Sequence, residues 1–117
     1  MYLLLLIIIP VLSITLNNLV PDDISIPTAE FNSEIIKEAL YIFDEVIIPN
    51  NTYTIYPVYV SNVSDITFKI DGTLQSQNNM KKWPKGDGGN SLHMFNFKYI
   101  ENITITGDGT VDGKGYK

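Results

Sequence analysis

The 117 residues contain no cysteine and no arginine, and a single histidine and a single tryptophan. Without cysteine there is neither a disulfide frame nor a thiolate zinc site. Against 13 acidic residues stand 8 lysines, giving a formal net charge of −5. That balance leaves no basic stripe for nucleic acid or an anionic membrane surface. A polyanion would be held only where the lysines cluster in space. No apolar run is long enough to span a bilayer as a helix, which takes about 20 residues. A chain of this size buries only about 60% of its unfolded surface, so with no cross-links it must be stabilised by packing alone.

The longest apolar run is the first one, Met1 to Leu12, MYLLLLIIIPVL, interrupted by Pro10. It resembles the core of a secretory signal, with Val11 and Ser13 as small residues before a cut after Ser13. Its n-region lacks Lys and Arg. Export to the extracellular space is the expectation, with a membrane anchor as the alternative. Three N-x-[ST] acceptors agree with export: Asn50-Asn51-Thr52, Asn62-Val63-Ser64 and Asn102-Ile103-Thr104.

After residues 1–13, residues 14–32 carry two prolines in 17–32 (NNLVPDDISIPTAEFN) and no period, and read as an extended lead-in. From Ser33 to Asp44 the apolar residues Ile35, Ile36, Ala39, Leu40 and Phe43 recur at helical spacing opposite Glu34, Lys37, Glu38 and Asp44. Asn32 or Ser33 would supply the N-cap oxygen. The spacing predicts one amphipathic helix that buries Ile36, Leu40 and Phe43, and no second helix after it. The rest is strand-like. Val46-Ile47-Ile48-Pro49 is a short apolar run ended by a proline. Tyr53, Ile55, Val58 and Val60 are strand formers, and Ile66, Phe68 and Ile70 alternate with Thr67 and Lys69. Ile103 and Ile105 repeat that alternation. Between them, Ser76 to Ser91 is polar and Gly-rich, a long loop of the kind that binds something or stays disordered.

A repeat organises these strands. SDITFKIDGTLQS (64–76) aligns without gaps to ENITITGDGTVDG (101–113), an offset of 37 residues. Short strands with a recurring D-G-T turn, and no strand set to pair back with, predict parallel stacking of coils in which each coil leaves its edges open until the next covers them. The expected fold is therefore mainly β: a cap helix and the first coils of a right-handed parallel β-helix over residues 33–117, incomplete at its far end and open to edge-to-edge self-association.

The second copy of the repeat ends in GDGTVDGKG (107–115), which invites two other readings. As a calcium loop it would use Asp108 as position 1 and Asp112 as position 5, but position 3 is Thr110 and position 12 falls beyond Lys117. As a dinucleotide fingerprint it has Gly107 and Gly109, but Asp112 replaces the third glycine and no helix follows. Only the turn reading also explains residues 71–74, so no metal and no cofactor is expected.

In order along the chain come the amphipathic helix, Val46-Ile-Ile-Pro-Asn-Asn-Thr-Tyr53, Ser61-Asn-Val63, Ile70-Asp-Gly-Thr-Leu74, Trp83-Pro84 and Ile103-Thr-Ile-Thr-Gly-Asp-Gly-Thr-Val-Asp-Gly-Lys-Gly115. This order, over residues 33–117, resembles the N-terminal part of polygalacturonases, glycoside hydrolase family 28. Asn51 stands where that family usually has Gly, and Tyr116-Lys117 where it often continues towards tryptophans. The resemblance implies a secreted, inverting hydrolase of α-linked galacturonan acting on pectin. Inversion takes one carboxylic acid and one carboxylate base spaced to admit a water. The family carries them in N-T-D, D-D, G-H-G and R-I-K motifs, none of which occurs here apart from an Asp22-Asp23 pair in the lead-in. No catalytic residue can be assigned. The expectation is an N-terminal fragment, inactive alone, or else a non-catalytic secreted β-helix module that binds carbohydrate or builds a surface or viral fibre.

The remaining candidates are few. Asp108 and Asp112 flank a Gly turn and read as turn formers. His93 has no partner motif. Trp83 lies in the long loop beside Lys81, Lys82 and Lys85, where an indole face could stack on a sugar ring and the ammonium groups could meet the carboxylates of polygalacturonate. The alternative is that Trp83 packs the loop onto the coil. Trp83, Lys81 and Lys82 are the candidate carbohydrate contacts.

Overall fold

The structure, a computed structural model, describes residues 12–77 and 94–112. Among these the protein is mainly β with one helix: β1 (Ser13–Thr15), α1 (Ile26–Ile42), β2 (Glu45–Ile48), β3 (Thr52–Ile55), β4 (Val58–Ser61), β5 (Ser64–Ile70), β6 (Thr73–Ser76), β7 (Phe95–Lys98), β8 (Glu101–Thr106) and β9 (Thr110–Asp112). The strands form three sheets, ordered β1-β2-β5-β8, β3-β6-β9 and β4-β7. Every ladder is parallel. From β2 onward the chain visits the first, second and third sheets in turn, then starts again. One round is β2, β3, β4; the next is β5, β6, β7; the third is β8, β9.

The sequence repeat is the register of this stacking. Ile66 lies opposite Ile103, Phe68 opposite Ile105, Thr73 opposite Thr110 and Leu74 opposite Val111. Each pair is separated by the same offset as the aligned repeats. The step from the first round to the second is shorter, with Val46 opposite Phe68 and Tyr53 opposite Leu74. The extra length of the second round falls between β6 and β7, where residues 78–93 lie outside the described residues.

Alternation explains the burial. In β5 Ile66, Phe68 and Ile70 are buried while Thr67 and Lys69 are not, the two-residue period of a strand with one face inward. Val46 and Ile48, Tyr53 and Leu74, and Val58 and Val60 add their inward side chains to one core. Phe68 meets the ring of Phe95 edge-on at 5.4 Å and 74°, joining the first sheet to the third, and Phe95 stacks on Phe97. α1 lies against β2, β3 and β4 and contributes Ile36, Ala39 and Leu40 to the same core.

Two expectations about the helix need correction. It runs from Ile26 to Ile42, so residues 26–32 are helix rather than lead-in, and β1 places Ser13–Thr15 in the first sheet. The N-cap is Ser25, whose side chain accepts from the Thr28 N–H, with Pro27 in the first turn. Proline is tolerated there because its missing N–H would have had no intrahelical partner. The supposed caps do other work. Asn32, fully buried, accepts from the Val20 N–H and donates to the Val20 and Thr54 carbonyls. The Ser33 hydroxyl bonds both the N–H and the carbonyl of Tyr56. Ile36 and Leu40 are buried as expected, whereas Phe43, one residue beyond the helix, is only partly covered.

Candidate functional site

Side chains with chemical capacity gather at two turn columns. The first joins the first sheet to the second. Here Asp71-Gly72-Thr73 and Asp108-Gly109-Thr110 sit one above the other. The Gly109 N–H reaches the Ile70 carbonyl at 2.8 Å, Thr110 N–H the Gly72 carbonyl at 2.9 Å, and Thr73 N–H the Asn51 carbonyl at 2.8 Å. The rounds approach so closely that a Cβ on Gly72 would run into the Pro49 and Asn51 backbone, and one on Gly109 into the Gly72 and Ile70 carbonyls. Asn51 occupies the first level of the column and is exposed, so a side chain is accommodated there.

Asn50, Lys69, Asp71, Thr106, Gly107 and Asp108 line an open cleft of about 480 Å³ on this face. Asp71 is 3.8 Å from the Lys69 ammonium. Asp108 and Asp112 are exposed. The column is built to stack rounds. Among the described residues no group of three His, Asp or Glu side chains could hold a metal ion.

The second column joins the third sheet to the first. Asn62 and Asp65 adopt left-handed backbone angles, φ 58° and 57°, and so do Tyr99 and Asn102 one round later, φ 55° and 54°. Asn and Asp enter that region at little cost. The Asn102 amide donates to the Asp65 carboxylate at 3.0 Å, tying the outer round to the one beneath. Tyr99 reaches the same conformation with its ring in solvent and the Lys98 ammonium 5.4 Å from the ring centre. Beside this column Asn62, Val63, Ser64, Tyr99, Ile100 and Glu101 line a second open cleft of about 490 Å³.

The three acceptor asparagines are therefore all exposed: Asn50 between β2 and β3, Asn62 between β4 and β5, and Asn102 second in β8. Asn102 is already engaged by Asp65; Asn50 borders the first cleft and Asn62 the second. The candidate carbohydrate contacts Lys81, Lys82 and Trp83, and His93 with them, lie outside the described residues.

Among the described residues three perturbed groups lie elsewhere. The Ser61 N–H donates to the Tyr41 hydroxyl at 3.1 Å and lowers its pKa. Burial, with Glu30 nearby, raises that of Tyr56, whose hydroxyl is buried without a partner among the described residues. The Ser76 hydroxyl is likewise unpartnered, and Ser76 pairs with Ile55, the neighbour of Tyr56. At Asp23 the Ser25 N–H, then the Thr28 and Ser25 hydroxyls, lower the carboxyl pKa. No sequence signal distinguishes Tyr56 from the other tyrosines; its burial comes from packing beneath Ile26 and Ala29.

No described helix is long and apolar enough to cross a membrane. Comparison with known protein families, with characterised proteins and with solved structures finds no match to this chain.

Proposed function

We propose that the chain forms the helix-capped first coils of a right-handed parallel β-helix of the polygalacturonase kind, a secreted scaffold for hydrolysis of α-linked galacturonan. The observation that carries the reading is the register: the D-G-T repeat stacks on itself at the offset seen in the sequence, in a chain that visits three parallel sheets in constant order. The amphipathic helix, the Val46–Tyr53 segment and the GDGTVDGKG turn then fall in the order that the family shows. The apolar start and the three exposed acceptor asparagines support export.

On this reading the described part holds no reaction machinery. Inversion requires two carboxyl groups roughly 6.5–9.5 Å apart across a substrate. Here Asp71 is paired with Lys69, and Asp108 and Asp112 are exposed at their turn. The acid and base would belong to coils outside these 117 residues, and loss of each role is worth about 10²–10⁴-fold. Polygalacturonate would meet this part, if anywhere, through Trp83, Lys81 and Lys82.

A chimera tests the reading. Residues 12–112 would replace the corresponding first coils of a polygalacturonase, joined in the D-G-T register. The expected result is a soluble enzyme that still releases reducing ends from polygalacturonate, whereas the 117-residue chain alone releases none. An insoluble or inactive chimera would overturn the scaffold reading. So would turnover by the chain alone that disappears in Asp108→Asn or Asp112→Asn. A non-catalytic binding or fibre module is what an inactive chimera would favour.

A further inference from the structure

The end of the stack that α1 closes, against β2, β3 and β4, carries an apolar cleft with an acceptor asparagine in its wall. Tyr41, Ile42 and Phe43, where the helix runs out, form one side, and Asn62, Val63 and Ser64 form the other. The cleft holds about 220 Å³. Tyr41 is 46% and Ile42 64% exposed, although the helix that carries them covers the core. The Tyr41 hydroxyl accepts from the Ser61 N–H at 3.1 Å, which holds its ring beside the residue that precedes Asn62.

We propose that Asn62 is the N-glycosylated residue of this chain, and that its first sugars lie over Tyr41 and Ile42. The proposal rests on the reading that the chain is exported. In this modification the Asn62 side-chain nitrogen attacks the anomeric carbon of a lipid-diphosphate-linked oligosaccharide. The N–C bond forms as the C–O bond breaks, the lipid diphosphate leaves with the electron pair, and the amide gives up one proton. The hydroxyl two residues on, here Ser64, completes the acceptor.

Three observations select Asn62. Its side-chain amide has no hydrogen-bond partner among the described residues, whereas that of Asn102 donates to Asp65 at 3.0 Å. A glycan on the Asn102 nitrogen would crowd a bond that ties two rounds together. Second, the Asn62 turn is held by its backbone: φ is 58°, and its N–H donates to the Lys98 carbonyl at 3.0 Å. Its partner Ser64 is exposed, while Thr52, the partner of Asn50, is half-buried in β3. Third, the surroundings differ. Asn50 borders Lys69, Asp71 and Asp108, but Asn62 faces an aromatic ring and an exposed isoleucine. A pyranose has a C–H face that packs on such side chains, and an exposed apolar patch marks a place where something is bound.

Expression of the 117-residue chain in secretory eukaryotic cells, as it stands and behind the cleavable signal of a known exported protein, tests the assignment. Release by peptide-N-glycosidase in heavy-oxygen water marks each occupied asparagine for mass spectrometry. Behind the added signal the mark is expected at Asn62, removed by Ser64→Ala, kept by Ser64→Thr, and unaffected by Thr52→Ala or Thr104→Ala. Ser64→Ala leaves Asn62 itself in its left-handed turn, so loss of the mark reports the acceptor and not the fold. A mark at Asn50 or Asn102 as strong as that at Asn62, or no mark at all, would overturn the proposal. A mark that needs the added signal would sink the export reading while leaving Asn62 as the acceptor. Removing the glycan should lower the melting temperature by roughly 2–5 °C, and Ile42→Ser should shrink that shift at unchanged occupancy. A shift that Ile42→Ser leaves as it was would overturn the seating of the sugars over the cleft.

Discussion

Phe68 and Ile105 hold the same place in successive rounds, and so do Leu74 and Val111, yet one member of each pair is sealed and the other open. Phe68 and Leu74 are 0% exposed, against 56% for Ile105 and 46% for Val111. Pattern, strand period and hydrogen-bonded register are shared. What differs is the number of neighbours in the stack: among the described residues β5 lies between β2 and β8, and β6 between β3 and β9, while β8 and β9 are paired on one side only. Burial in such an arrangement is a property of position in the stack, because each round covers only the rounds beside it. The same side chain should therefore be worth very different amounts at different levels.

The largest effect tests that directly. Phe68→Ala removes a ring wedged against Phe95 at the centre of the core and should cost about 3–5 kcal/mol. Ile105→Ala should stay within about 0.5 kcal/mol, the range of surface changes, for the monomer. Urea unfolding of the two variants at low protein concentration measures both, with the midpoint shifting at constant slope. Comparable losses at the two positions would break the comparison, since they would mean that the outer round is as well covered as the inner one.

Glycine sharpens it next. Alanine at Gly72 pushes against the Pro49 and Asn51 backbone and forces the first and second rounds apart; alanine at Gly109 pushes against Gly72 and Ile70 and can be relieved by releasing only the third round. Overpacking of this kind costs about 1–3 kcal/mol. Gly72→Ala should lower protection from hydrogen exchange throughout the stack. Gly109→Ala should expose the amides of β8 and β9 while those of β5 remain slow, which is local rather than global opening. If Gly109→Ala unfolded everything together, the rounds would form one cooperative unit and the contrast between them would have no energetic meaning.

The features legible in the sequence are those that repeat or alternate. The gapless match of 64–76 to 101–113 anticipated the pairing of Phe68 with Ile105 and of Leu74 with Val111, because in parallel stacking a sequence offset becomes a register. The period of Ile66, Phe68 and Ile70 anticipated β5. The helix start is hidden in the sequence because Pro21 and Pro27, with no apolar period around them, read as an extended lead-in. Yet Ser25 followed by Pro27 is also a cap followed by first-turn proline, and local chemistry allows both. Asn32 illustrates a different limit. Inside a helix its amide is unfavourable; its position is explained only by the Val20 and Thr54 backbone groups it bonds, which come from elsewhere in the chain. The left-handed turn pairs, Asn62 with Tyr99 and Asp65 with Asn102, were equally hidden, since a tyrosine gives no local signal for positive φ. The site residues were the least legible. The turn carboxylates stand in a column whose stacking is made by backbone groups and glycines, and Trp83 with its lysines falls outside the described residues.

The smallest effect lies at the closed end and concerns acid. Asp23 stands two residues before the N-cap of α1, accepts from the Ser25 N–H at 2.9 Å and from the Thr28 hydroxyl at 2.7 Å, and has its pKa lowered by those bonds. Its negative charge also faces the positive end of the helix dipole. A carboxylate whose folded pKa is depressed stabilises the fold fully above its unfolded pKa, and that contribution is lost as pH falls through the folded value. Asp23→Asn should therefore make the protein slightly less stable than wild type at pH 7, and the difference should shrink to nothing once the wild-type carboxyl is protonated. The group is exposed, so the effect is small; it should be read as loss of amide protection in the first turn of α1, around Thr28 and Ala29, with β8 unchanged. The same loss at pH 7 and at low pH would show that the asparagine disturbs the turn rather than the charge. A parallel loss in β8 would show that the closed and open ends of the stack are coupled, which the contrast between Phe68 and Ile105 denies.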